Sequence, residues 1–122
     1  MKPITEREAL EGCRDHWDRI ANAKRDGSTK HILCLKRELA DPRTTDGQAY
    51  CFCCLHHSQH YGHVQCVGRC LLHWNGGEGC TNPSSEYEQA IYLNNEAGAR
   101  IIADMARKEL AKMDSKKGKK VD

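Results

Sequence analysis

Apolar positions recur at helical spacing near both ends of the chain and lose that period in the middle. Leu10, Cys13, Trp17 and Ile20 follow one another at 3–4–3 spacing, with Ala21 one turn after Trp17. That is a single apolar stripe on an amphipathic helix. Thr5-Glu6-Arg7-Glu8 before it has the form of a capping box, and Lys24, Arg25 and Gly27 after it suit a last turn and its cap. The pattern predicts a helix over 6–25, with Gly12 a weak point inside it. Ile32, Leu35 and Leu39 mark one side of a second, shorter helix with Ser28 as its N-cap, ended by Asp41-Pro42. Residues 41–48 are turn formers throughout. Near the other end, Ser85 and Glu88 form another capping box. Tyr87, Ile91, Leu93, Ile101, Ile102 and Met105 then predict a helical run to about Met113, with a break at 94–98 where Asn94, Asn95 and Gly98 fall.

The unperiodic middle, Tyr50 to Cys80, holds six of the eight cysteines and five of the seven histidines. Two short-range cysteine pairs brought together by a loop can surround one tetrahedral zinc ion. Cys51 and Cys54 form one pair, Cys66 and Cys70 the other, and Cys80 follows a turn made by Gly76-Gly77-Glu78-Gly79. These five compete for four places, and an imidazole from His56, His60 or His63 could substitute for one sulfur. Cys53 shares the first turn and is expected to point elsewhere as a free thiol, while Trp74 is expected to cover the metal loop. Cys13 with His16, and His31 with Cys34, make a mirror pair that could bind a second ion. The plainer reading of Cys13, which lies on the apolar stripe, is a small buried hydrophobe. The expectation is a mostly α-helical domain over 1–114, with a zinc-finger-like cysteine-rich loop region between N- and C-terminal helices.

Composition explains why a metal would be wanted. The hydrophobic fraction is 39% with the cysteines included, and only seven aromatic Phe, Trp and Tyr residues are present. Thin cores of this size are commonly stapled by metal or disulfides. The opening MKPITEREALEG carries no apolar leader, and nothing approaches the roughly 20 apolar residues of a membrane span. A cytoplasmic location follows as an expectation, and there clustered cysteines favour zinc over disulfides. Charge is uneven: residues 107–122 have seven Lys/Arg against three Asp/Glu, and 1–106 have twelve against fourteen. The body is mildly acidic, and four zinc-bound thiolates would make it more so. Residues 115–122 are expected to form a disordered basic tail that binds nucleic acid only weakly. No H-E-x-x-H occurs, nor H-x-E with P-C-x-x-C, so a metal-dependent nuclease or hydrolase ranks below a binding role.

The spacing of these residues resembles a group of small cysteine-rich proteins encoded by tailed phages and prophages. The residues that carry the resemblance are His16-Trp17, Gly27 with Lys30, Cys51 with Cys54, Cys66 and Cys70 with Leu72, Cys80, and Ser85 with Tyr87. It spans about residues 10–105. The chain departs from the pattern by the three-residue gap between Cys66 and Cys70 and by Leu71 where proline is usual. The resemblance implies a viral accessory protein acting in the host cytoplasm, with a host protein complex as its partner.

Overall fold

The computed structural model describes residues 3–44, 51–61, 70–75 and 84–119. Among them are five α-helices and no strand: α1 (Glu6–Arg25), α2 (Ile32–Glu38), α3 (Phe52–Tyr61), α4 (Glu86–Leu93) and α5 (Glu96–Lys119), with a 3₁₀ turn at Pro42–Thr44. The mostly helical class expected from the hydrophobic pattern is therefore observed.

The first helix has the expected bounds, and for the expected reason. Glu8 N–H donates to Thr5 Oγ1 at 3.1 Å while Thr5 N–H donates to the Glu8 carboxylate at 3.0 Å. These reciprocal bonds hold the Glu8 carboxyl below its usual range, the backbone bond from Thr5 leading. Gly27 lies at φ 97°, the left-handed geometry that ends the helix. Leu10, Cys13, Trp17, Ile20 and Ala21 are all buried.

α1 packs along α5, and polar pairs fix the direction of the pairing. Arg7 meets Asp114 at 2.5 Å near one end, and Arg100 meets Asp18 at 2.9 Å and Asn22 at 3.0 Å near the other. Low numbers on one helix face high numbers on the other, so the two are antiparallel. Along the same stretch of α5, Ala99, Ala103 and Ala106 are fully buried with Ile102. Small side chains on α5 let it approach Trp17 and Ile20 closely. Each fully buried Ile or Leu contributes about 1.5–3 kcal/mol. The exposed Arg7–Asp114 pair adds at most about 1 kcal/mol, so apolar burial supplies the stability and the ion pairs set the register.

Three expectations are corrected. The second helix begins later than Ser28: His31 is the N-cap, its Nδ1 accepting from Leu33 N–H at 3.1 Å, while Ser28 Oγ accepts from Lys30 N–H in the turn before it. The cysteine-rich stretch is in part a helix rather than a loop, because Phe52–Tyr61 forms α3 against α1. The C-terminal helix does not stop near Met113 but continues to Lys119. Residues 120–122 lie outside the described residues. The expected break at 94–98 is present: Asn94 adopts φ 49°, ψ 47°, ending α4, and α5 starts two residues later.

Two glycines that read as helix weak points are packing positions. A Cβ on Gly12 would stand 2.5 Å from the Phe52 ring, and one on Gly98 would stand 2.9 Å from the Ala90 backbone. Replacing Gly by Ala in a helix ordinarily gains up to about 1 kcal/mol, but overpacking costs about 1–3 kcal/mol. Gly12→Ala and Gly98→Ala should both lower stability in urea unfolding. Gly98→Ala should cost more, because its neighbour is backbone and cannot turn aside.

Candidate metal centre

Three separate segments carry cysteines toward one another. Cys13 comes from the buried stripe of α1. Cys51 precedes α3, its carbonyl accepting from Leu55 N–H at 3.0 Å, and Cys53 and Cys54 lie in the first turn of that helix. Cys70 comes from the segment before Trp74. The thiols act on one another's protonation: Cys51 is affected by Cys13, Cys53 and Cys54, and Cys53 by Cys13, Cys51 and Cys70. Cys13 and Cys53 are buried, while Cys51, Cys54 and Cys70 are partly so.

The bonding pattern splits the thiols electrically. Hydrogen bonds from Cys13, Cys53 and Cys54 hold the Cys51 thiol well below the usual range. The bond to Cys51 pushes Cys13 well up, and bonds to Cys13, Cys51 and Cys70 do the same to Cys53. Cys70 is lowered, first by the Cys53 bond and in lesser part by the Trp74 indole, whose Nε1–H donates to its sulfur at 3.3 Å.

Around the sulfurs is an aromatic and basic wall. Trp17 and Trp74 each meet Tyr87 edge to face, at centroid distances of 6.0 and 6.2 Å. Lys36 Nζ lies 4.6 Å from the Tyr87 ring centroid and donates to its hydroxyl at 3.0 Å. Burial pulls the Lys36 ammonium down, but Cys51 and Tyr87 outweigh it and hold the group above its ordinary value. His16 is buried and its Nε2 bonds the Lys36 carbonyl at 2.8 Å. A carbonyl only accepts, so Nε2 carries the hydrogen. Burial lowers the His16 pKa and keeps the ring neutral.

The expected ligands are distributed unevenly. Cys51, Cys54 and Cys70 lie in the cluster; Cys66 and Cys80, with His63 and the Gly76–Gly79 turn, lie outside the described residues. Cys53 is a buried free thiol, and the neighbouring thiols of Cys13, Cys51 and Cys70 push its pKa well up. Cys13 is buried as expected, yet among thiols and not only among hydrocarbon. The mirror pair does not assemble, since His31 caps α2, Cys34 is exposed and His16 is bonded to backbone. His56 and His60 stack on each other at 4.2 Å, and His60 Nε2 bonds the Ile4 carbonyl. His73 is exposed and faces Glu109 at 3.4 Å, at a cleft of about 260 Å³ that Cys70 also lines. The docking of α3 on α1 sets Cys13 beside the thiols of Cys51 and Cys53.

Among the described residues, no group of three or more His, Cys, Asp or Glu side chains is arranged to hold a metal ion. No protein-family model, curated protein or solved structure matches the chain. No helix among the described residues is long and apolar enough to cross a membrane.

Trp74→Phe keeps an aromatic ring but removes the N–H donor to Cys70. Stability in urea unfolding should fall by about 1–2 kcal/mol, one hydrogen bond plus a small loss of packing. A variant as stable as wild type would show that the indole bond contributes nothing.

Proposed function

We propose that the chain is a small structural-zinc protein, a phage-encoded accessory factor that binds and inhibits a host protein complex such as a defence or transcription machine. The observation that carries the zinc reading is the burial of contacting thiols where α1, α3 and the Cys70 segment meet. A catalytic zinc keeps an open coordination position; sulfurs packed beneath Trp74 and Leu72 suit a closed, structural one. Cys51 and Cys70 are its core, and Cys54, Cys66 and Cys80 are the remaining candidates from the sequence. The resemblance to phage proteins supplies the viral setting.

Protein binding is supported by what the helices leave outside. Tyr92 is 86% exposed and Leu93 47%. Asn94 accepts from Ile32 N–H at 2.9 Å, which brings the end of α4 beside the start of α2, where Leu33 is 45% exposed. Exposed aromatic and aliphatic side chains so placed are the material of protein interfaces. The alternative is a nucleic-acid-binding module. The acidic balance of residues 1–106 opposes it, leaving Lys116, Lys117, Lys119 and Lys120 as the main phosphate contacts.

Elemental analysis of protein purified without added metal should give about one zinc per chain. Chelation should then abolish the helical circular dichroism, because structural zinc binding is folding free energy. Substoichiometric metal with intramolecular disulfides would replace zinc by a disulfide-bonded or redox-active cluster.

A host complex retained after nuclease treatment should be lost when Tyr92 and Leu93 are both changed to Ser, with affinity down about 30-fold or more. Neutralising the four lysines should leave it intact. Tight, sequence-specific DNA binding by the lysine-neutralised chain at physiological salt would instead establish the nucleic-acid reading.

A further inference from the structure

We propose that the outward face formed by α2 and α4 docks a second copy of this chain, in a twofold dimer that lays α2 of each copy on α4 of the other. Leu33 then meets the partner's Tyr92, and Arg37 meets the partner's Glu88. Such a dimer is independent of the zinc and requires no host protein. A host protein seated on Tyr92 would compete with the second copy for that side chain.

Two contacts fix how these helices lie. Lys36 Nζ donates to the Tyr87 hydroxyl at 3.0 Å, and Ile32 N–H donates to Asn94 Oδ1 at 2.9 Å. Rising numbers on α2 face falling numbers on α4, so the two are antiparallel. Ile32 and Leu35 on α2 and Ala90 on α4 are buried. One position beyond Ile32 and Lys36, about 100° further round the helix, come Leu33 and Arg37. They stand four apart on the shoulder that turns outward beside α4, and both are exposed. On α4, Tyr87 and the half-buried Ile91 share the stripe that faces α2. One position beyond them come Glu88, half-buried, and Tyr92, exposed. The two shoulders adjoin and form one face.

That face is complementary to itself. Leu33 and Tyr92 lie at one level, beside the Ile32–Asn94 contact, and Arg37 and Glu88 at the other, beside Lys36 and Tyr87. A twofold axis running between the helices and parallel to them exchanges α2 with α4 across the interface but keeps each level in place. Leucine therefore falls on tyrosine and guanidinium on carboxylate, each twice over. Among the described residues neither Arg37 nor Glu88 has an ion-pair partner, whereas nearby Lys30 is engaged by Glu38 at 2.9 Å. An isologous interface needs one patch that matches itself when turned over. An unrelated partner would have to bring the reversed arrangement of charge, and a second copy carries it by symmetry. Tyrosine at the apolar level is a side chain that anchors interfaces.

The test is sedimentation equilibrium of the purified full chain, with reductant present so that the exposed Cys34 cannot cross-link copies. The chain should form a concentration-dependent dimer. Arg37→Glu and Glu88→Arg should each weaken it about 10-fold or more, because like charges then meet at both contacts. An equimolar mixture of the two variants should recover the dimer. In the mixed dimer one contact keeps the original pair, and the other joins the two substituted side chains with their signs exchanged. Pairing within one chain cannot produce that recovery, and neither can a variant that has failed to fold. Tyr92→Ser should weaken the dimer about 30-fold or more. A chain that is monomeric at every concentration, a dimer indifferent to Tyr92→Ser, or a mixture no more dimeric than its components would each overturn the proposal. Capture of a host complex by a monomeric chain would overturn the dimer and leave the host-protein reading standing.

Discussion

Everything in this protein leans on the buried face of α1. A single stripe, Leu10 to Ala21, packs against α5, α3 and α2 together. With one Phe and two Trp in the whole chain, no second apolar surface could replace it. The alanines of α5 let two long helices approach closely, and the Arg100–Asp18 and Arg7–Asp114 pairs allow only one antiparallel alignment. The remaining elements are short and add little area. They depend on being held to α1 by specific contacts, and the thiols are the most concentrated of these.

The second, smaller core shows the same dependence. Ile4, Ala9 and Phe52 form it, and the segment before α1 is tied to α3 by Ile4 N–H on Gln59 at 2.8 Å and by His60 on the Ile4 carbonyl. Arg43 lies 5.1 Å from the Phe52 ring centroid. Phe52 in turn fits only because Gly12 has no side chain. The cysteines flanking Phe52 in sequence are thus aimed by its docking on α1. Packing of one aromatic ring sets where the sulfurs of Cys51 and Cys53 go.

Much of the helical framework was legible in the sequence, for local reasons. Capping boxes and a 3–4 period are determined within a few residues, so α1 and the start of α4 could be read directly. α3 could not. Its residues Phe52–Tyr61 mix cysteine, histidine and one aromatic without a helical stripe, and they are buried by tertiary docking. His31 as a cap was hidden because serine is the more usual residue in that role. The extension of α5 past Met113 was hidden too, because lysine-rich sequence reads alike as a solvated tail or a solvated helix. Spacing within the cysteine-rich stretch could not show that Cys13, remote in sequence on α1, acts on the thiols of Cys51 and Cys53 once α3 docks on α1.

Asn94 meets two unrelated demands at once. Its backbone is left-handed, which glycine would satisfy more easily, and its side-chain oxygen accepts from the first amide of α2. Glycine would serve the corner and abandon α2; a larger polar residue would keep the acceptor at the expense of the corner. Asparagine is the neutral residue suited to both. In evolutionary terms position 94 is a bottleneck: the corner between α4 and α5 and the start of α2 cannot drift independently, because one side chain answers for both.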